Sequence, residues 1–265
     1  MRLNGLTRRL EFSRWLWTLG ASSADSARLV GSYNSRAVRK RLRLHGISPV
    51  TVQLRLNQSS LPFRFGDLSD FSVLEEVFRE RQYLLELDTA PRTILDLGSN
   101  TGLSVLFFHA MFPEAHVFAI EAHPTAFASL KANAARWRNV TPIHAAAVAK
   151  SGPVVFYGSP ERGMSSSIFQ RRATDVPVEV TGENLATLLD RCGPTIDVLK
   201  FDIEGAEFDL FANFDQWSRL GTVIGEVHPD LYGGTLEQFL ELFPKHSSRI
   251  MQRMGQRAIV RFDPR

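Results

Sequence analysis

The run Arg92-Thr93-Ile94-Leu95-Asp96-Leu97-Gly98-Ser99-Asn100-Thr101-Gly102 decides how the rest of the chain is read. Ile94, Leu95 and Leu97 predict a short buried strand that stops at Gly98. Leu103-Ser104-Val105-Leu106-Phe107-Phe108 follows at once and is apolar nearly all round, as a helix covered on most sides is. Two glycines spaced Gly-x-x-x-Gly separate strand from helix, at a sharp turn where a ligand can approach the backbone. Such turns at the carboxyl end of a first strand hold nucleotide-like molecules in doubly wound α/β sheets.

Working outward, the dinucleotide fingerprint has a glycine where this chain has Asn100. Asp96, inside the strand end, suits a cofactor with a positive charge and no phosphates. That describes S-adenosylmethionine (SAM) better than a nicotinamide dinucleotide. Val117-Phe118-Ala119-Ile120-Glu121 predicts the second parallel strand, and Glu121 lies about 25 residues beyond Asp96, where a carboxylate takes hydrogen bonds from ribose hydroxyls. Pro124 opens a helix with Phe127, Leu130, Ala134 and Trp137 on one face. Val140 to Val148 predicts a third strand running into Ala145-Ala146-Ala147, where an adenine ring can lie against backbone.

Ile196-Asp197-Val198-Leu199-Lys200-Phe201-Asp202-Ile203-Glu204-Gly205 predicts a fourth strand that delivers Asp202 and Glu204 beside the cofactor turn. A fifth, Thr222 to Gly225, runs into Glu226-Val227-His228-Pro229. Of the seven histidines, His228 alone falls at a predicted strand end on the cofactor side. Between these blocks, Val154 to Tyr157 reads as a short strand, Gly158 to Ser167 as a Gly/Ser-rich loop, and Val176 to Val180 as an edge strand. Ser165-Ser166-Ser167 is either flexible loop or a substrate-facing segment. Residues 247–263 predict a terminal pair of strands around Gly255-Gln256.

The first fifty residues differ in character. They carry ten Lys or Arg against Glu11 and Asp25, a balance of +8, so the net charge of +3 conceals a body at −5. That distribution argues against a body-wide nucleic-acid surface. Leu3, Leu6, Leu10 and Trp17 can share a helical face, and Arg14 interrupts the apolar core a signal peptide needs. The helix can lie on an anionic membrane surface or pack on the body or a second subunit. Arg36, Arg39, Lys40, Arg41 and Arg43 read as a solvated helix face. Alternation then predicts a β-hairpin: Val50, Val52, Leu54 and Leu56, a turn at Asn57–Ser60, then Leu61, Phe63 and Phe65. Asp70 is the expected cap of the next helix. Three parts follow: a basic helical arm at 1–48, a hairpin and helix at 49–90, and a catalytic domain at 91–265. Cys192 is the single cysteine, so no disulfide forms within the chain, and a reducing, cytoplasmic compartment is expected.

Asp96-Leu-Gly98-Ser-Asn100-Thr-Gly102, Glu121-Ala-His-Pro124, Lys200-Phe-Asp202-Ile-Glu204-Gly205-Ala-Glu207 and Glu226-Val-His228-Pro229 together resemble the FkbM family of SAM-dependent methyltransferases. The resemblance covers roughly residues 63–229. It implies a Rossmann-like class I methyltransferase: a central seven-stranded, mostly parallel sheet with helices on both faces, here preceded by the helical arm and hairpin. It further implies O-methylation of a hydroxyl on a sugar, glycolipid, polysaccharide or polyketide. Cofactor contacts are then expected from Asp96, Gly98, Ser99, Asn100, Gly102, Glu121, Ala122, Ala147 and Asp202. Catalytic residues are expected among Asp202, Glu204 and His228.

Methyl transfer from a sulfonium to an alcohol leaves proton removal as the chemical task, and His228 or Asp202 is the expected base. Histidine has the better ordinary pKa, about 6.5, which leaves it mostly neutral at pH 7. Asp202 can equally orient His228, help hold the sulfonium cofactor or ligate a divalent ion that acidifies the hydroxyl. The ion is the minority reading and no metal ligand is assigned, because one acid and one histidine do not by themselves make a ligand set. Base methylation of nucleic acid is disfavoured, since the fourth strand ends without a Pro-Pro-aromatic platform. The expected partners are a small-molecule or glycan acceptor and, through residues 1–48, a membrane surface or a second copy. The alternative is a SAM-binding scaffold whose catalysis has lapsed, tethered by its basic arm.

Overall fold

Alternation, turn chemistry and apolar runs resolve into two compact units, Met1–Glu75 and Glu76–Arg265. The structure, a computed structural model, describes residues 5–42, 48–159, 162–167, 170, 173 and 175–265.

The first unit pairs helices α1 (Gly5–Leu19) and α2 (Ser23–Arg41) with the hairpin β1 (Val50–Leu56) and β2 (Ser59–Phe65). Ser22 caps α2 by accepting from the Asp25 N–H at 3.1 Å. The Asp25 carboxylate in turn accepts from the Gln53 N–H at 3.2 Å, tying the helix start to the hairpin. The hairpin register runs from Val50 opposite Phe65 to Leu56 opposite Ser59, which buries Val52, Leu54, Leu56, Phe63 and Phe65. An aromatic chain, Phe12 to Tyr33 at 4.7 Å and Tyr33 to Phe71 at 5.5 Å, links α1, α2 and α3 (Ser69–Leu74). The expected boundary at residue 48 therefore falls inside one shared core. Asp70 does not cap α3; its Oδ2 accepts from the Gly66 and Asp67 N–H groups, at 2.6 and 3.0 Å, and closes the turn before it.

On the arm, one open reading is narrowed and one expectation changes. Leu10 and Trp17 are 54% and 50% exposed, while Phe12 and Leu16 are buried. The rotation of α1 is set by the Phe12–Tyr33 contact and by Arg9 donating to Asn34 Oδ1 at 2.9 Å. Arg36 belongs to no solvated face. It is buried, donating to the carbonyls of Ser48 and Phe65 at 3.1 Å each and to the Ser32 hydroxyl. Arg43, and the side chains of Leu3 and Leu6, lie outside the described residues.

The second unit continues with β3 (Thr93–Leu97), α4 (Leu103–Met111), β4 (His116–Glu121), α5 (Pro124–Ala134), β5 (Val140–His144), β6 (Ala146–Ala147), β7 (Gly152–Ser159), β8 (Arg162–Ser167) and β9 (Val176–Glu183). Then come α6 (Leu185–Cys192), β10 (Ile196–Phe201), α7 (Glu207–Ala212), β11 (Leu220–Val227), α8 (Pro229–Tyr232), α9 (Leu236–Leu240), β12 (His246–Met254) and β13 (Arg257–Pro264). A seven-stranded sheet has the order β12-β13-β11-β10-β3-β4-β5. β11, β10, β3, β4 and β5 are parallel, and β13 and β12 run antiparallel at the edge. This is the Rossmann-like arrangement expected from the resemblance. From β3 the chain moves outward to β4 and β5, then returns to β10 on β3's other side. The carboxyl ends of β3 and β10 therefore flank the reversal in strand order, where doubly wound sheets open a binding crevice.

A four-stranded sheet, β6-β9-β7-β8, accounts for the segment that alternation did not describe. The expected third strand, 140–148, divides at Ala145 into β5 in the large sheet and β6 in the small one. The expected Gly/Ser loop contains β8, paired with β7 through Tyr157–Ser167 and Gly158–Ser166. Backbone pairing, not apolar alternation, holds it. The side chains of Ser165, Ser166 and Ser167 lie outside the described ones. Val176 to Val180 is no edge: β9 runs on to Glu183 between β6 and β7. Among the described residues no helix is long and apolar enough to cross a membrane.

Candidate active site

The turn after β3 is fixed from three sides. The N–H groups of Gly98 and Ser99 both donate to the Ile120 carbonyl, at 3.0 and 2.9 Å, hanging the turn on β4. Gly98 has φ +76, and a Cβ there would overlap the Asp202 carbonyl oxygen at the end of β10. Asn100 also sits in the left-handed region, at φ 52, which asparagine tolerates better than most residues. Its N–H donates to Glu121 Oε2 at 2.8 Å, while Glu121 Oε1 accepts from the His123 N–H at 2.7 Å. Burial raises the Glu121 pKa, and the His123 and Asn100 N–H groups oppose that rise. Gly102, at φ +100, opens α4, and a Cβ there would lie 3.0 Å from Leu130 Cδ1. Both glycines thus make room for protein atoms.

Asp96 is fully buried and its charge is already balanced. Lys200 Nζ lies 2.9 Å from its Oδ1, and the Ser104 hydroxyl donates to Oδ2 at 2.5 Å. Lys200 also donates to the Gly98 carbonyl at 2.9 Å, and the Ser99 hydroxyl donates to the Asp96 carbonyl at 2.9 Å. The carboxylate that the sequence offers to a cationic cofactor braces the turn from beneath. Ala122 and Ala147 are buried, and the Ala122 carbonyl accepts from His144 Nε2 at 3.0 Å.

Across the crevice, three predicted residues converge. Asp202 follows β10; its N–H donates to the Leu97 carbonyl at 3.0 Å, and Oδ2 accepts from the Tyr83 hydroxyl at 3.4 Å. Glu204 has φ 54, an unusual conformation for a non-glycine residue. His228 follows β11 and is 1% exposed. Its Nδ1 donates to Glu207 Oε1 at 2.8 Å, and Glu207, itself 0% exposed, accepts further N–H bonds from Gly205 and Ile203. His228 Nε2 faces Glu226 Oε1 at 3.4 Å, Glu204 Oε2 at 3.6 Å and Asp202 Oδ1 at 3.9 Å. The side chains of Asp202 and Glu204 are 30% and 31% exposed, so the cluster opens to solvent on one side.

These neighbours reverse one expectation. Burial alone lowers the His228 pKa, but Glu207, Asp202 and Glu204 outweigh it and raise the ring to about 9. The imidazole is therefore not mostly neutral at pH 7. Burial, with the repulsion of Asp202, lifts Glu226 to about 8. Asp202 is also raised by burial, against the pull of Lys200.

Lys200, Glu207, Glu226 and Tyr83 were absent from the expected site. Lys200 and Glu207 stand inside the Lys-x-Asp-x-Glu-Gly-x-Glu run, and Glu226 shares a strand face with His228 by the two-residue period. Tyr83 ends the Phe78 to Tyr83 stretch that also fits the family resemblance, without a site role expected of it; its ring lies 5.3 Å from Lys200 Nζ.

The strand order, the crevice at the reversal and the clamped glycine turn define a Rossmann-like methyltransferase of class I. Residues 96–257 match the family model described as Methyltransferase FkbM domain, and the chain belongs to that family, with SAM as its cofactor. It is 27% identical over 211 residues to the 31-O-demethyl-FK506 methyltransferase FkbM of Streptomyces tacrolimicus, covering 66% of this chain and 80% of that one. Solved structures with a similar course include precorrin-6y C5,15-methyltransferase from Geobacter metallireducens GS-15, at TM-score 0.44 and 15% identity over 72% of this chain and 88% of that one. Another is M. jannaschii TYW2 in complex with AdoMet, at TM-score 0.43 and 12% identity over 84% and 90%.

Proposed function

We propose that this methyltransferase acts on oxygen, transferring the methyl group of SAM to a hydroxyl of a sugar, glycolipid, polysaccharide or polyketide-type acceptor. The observation that carries the reading is the convergence of Asp202, Glu204 and His228 where the Asp202 backbone abuts the Gly98 turn. Groups able to take a proton, the carboxylates and the neutral fraction of His228, stand beside the turn proposed to hold the donor. The relative from Streptomyces tacrolimicus, whose name specifies an O-demethyl substrate, supports the choice of oxygen.

The residues present fit the cofactor. Asn100 Oδ1 is buried without a hydrogen-bond partner, an acceptor waiting for a donor such as an ammonium group. Glu121 has one backbone bond on each oxygen, which leaves lone pairs for ribose hydroxyls. Ser99, Gly102, Ala122 and Ala147 line the remaining contacts. When bound, SAM supplies an electrophilic methyl carbon. The protein's part is to hold the acceptor oxygen in line, exclude water and accept the hydroxyl proton in the cluster. The single buried Cys192 fits a reducing cytoplasm.

The test is release of S-adenosylhomocysteine in the presence of sugars, glycans and macrolide polyketides, with His228→Asn beside wild type. The variant is expected to bind SAM normally and to turn over roughly 10²-fold more slowly or worse. Near-full activity would move the proton to Asp202. SAM binding without turnover on any acceptor would favour the lapsed scaffold.

A further inference from the structure

We propose that Asp202, Glu204 and His228 bind one divalent cation of the Mn2+ or Mg2+ class, a site whose catalytic use rests on the methyl-transfer reading but whose existence does not. The ligand atoms of the three residues lie within 4.8 Å of one another. Two donors at about 2.1 Å from one ion are about 3 Å apart when adjacent and about 4 Å when opposed. His228 Nε2 stands 3.6 Å from Glu204 Oε2 and 3.9 Å from Asp202 Oδ1, inside that interval.

The histidine is the second, independent sign. Histidines that hold a metal donate their other ring N–H to a carboxylate, which fixes the ring and aims the remaining nitrogen. His228 does this through Nδ1 to the fully buried Glu207. Its Nε2 is thereby aimed into the cluster, in a side chain 1% exposed, with oxygens of Glu226, Glu204 and Asp202 at 3.4, 3.6 and 3.9 Å. Charge points the same way. Glu226 joins Asp202 and Glu204 around Nε2; Lys200 is held by Asp96 at 2.9 Å, and Arg257, held by Asp230 at 2.8 Å, reaches the cluster only at Glu226, 4.0 Å away. Two carboxylates and one imidazole form a mixed hard-donor set, and the solvent-facing side leaves coordination positions open.

Held by Asp202, Glu204 and His228, such a cation would supply Lewis acidity that makes the proton of a bound hydroxyl easier to remove. The O–H bond would break and its proton would leave to solvent on the open side of the cluster. The oxygen forms the new bond to the methyl carbon as the carbon–sulfur bond breaks, its electron pair staying on sulfur. With the ion bound, His228 would hold it rather than take the proton.

The experiment is calorimetric titration of Mn2+ into chelator-treated wild-type protein, Glu204→Gln and Asp202→Asn, with SAM affinity measured separately in each. Glu204 is partly exposed, so the glutamine variant reads ligation rather than folding. One site is expected in wild type, weakened at least tenfold in either variant, with SAM affinity in Glu204→Gln within a few fold of wild type. Absence of Mn2+ binding in a wild-type protein that binds SAM and turns over in EDTA overturns the metal site and leaves the methyltransferase intact. Mn2+ binding that both variants retain overturns it as well. Mn2+ binding lost in the variants, without methyl transfer to any acceptor, sustains the site and defeats the reading of its use.

Discussion

Gly98 is the residue at which cofactor turn and catalytic cluster touch. Its positive φ and the Asp202 carbonyl where a Cβ would go leave room for no side chain. Gly98→Ala combines backbone strain with overlap against a strand end, and a loss of about 3 kcal/mol or more is expected. A thermal melt unchanged from wild type would show that the end of β10 can retreat. Glu121 tests the other side of the turn. Glu121→Ala removes the acceptor of two backbone N–H groups and of the ribose, about 1.5–3 kcal/mol, so calorimetry should show SAM binding at least tenfold weaker. Unchanged affinity would place the ribose elsewhere. Cys192 is buried and its thiol is pushed up to about 11 by burial, so the native protein at pH 8 should resist a thiol reagent that labels the unfolded chain at once. Rapid native labelling would mean that α6 opens.

Elements were legible where physics leaves a pattern. β3, β4, β10 and β11 are flanked on both sides in the sheet, and they read as short apolar runs ending in Gly98, Glu121, Asp202 and His228. β8 was illegible because Arg162-Gly-Met-Ser-Ser-Ser has no alternation to read. β6 was hidden because nothing in three alanines says which sheet each will join. Which side of α1 faces the core was illegible for a different reason: Leu10 and Phe12 are equally apolar, and only the Tyr33 ring decides between them. Arg36 looked like surface because its acceptors, the Ser48 and Phe65 carbonyls, belong to distant backbone. Arg36→Ala strands both carbonyls in the first unit and should destabilise the protein by about 2–3 kcal/mol without changing SAM affinity. A full-length variant melting like wild type would show that water replaces the guanidinium.

At the scale of the whole molecule, the site is legible in its parts and not in its sum. Asp96, Glu121, Asp202 and His228 are far apart in sequence, and only the strand reversal between β3 and β10 brings their ends together. The sequence shows each acid but cannot count how many will face one imidazole, which is why the protonation of His228 was misjudged. The unit boundary makes a separate prediction. Every residue assigned to cofactor and cluster lies after Glu75, so a chain beginning at residue 76 should bind SAM. One beginning at 48 keeps the hairpin but uncovers Leu54, Phe63, Phe65 and Phe71, and should aggregate. A soluble, monomeric 48–265 fragment would contradict the shared core.

The hydrogen bond between His228 and Glu207 has a use unrelated to the reaction. Donor and acceptor are both shut away from solvent, so the shared Nδ1 proton should trade slowly with bulk water. In a proton NMR spectrum it should appear as an isolated line downfield of the amides, visible without isotopic enrichment. Whatever enters the crevice alters the field at that ring, and the position of one resonance then reports occupancy in real time.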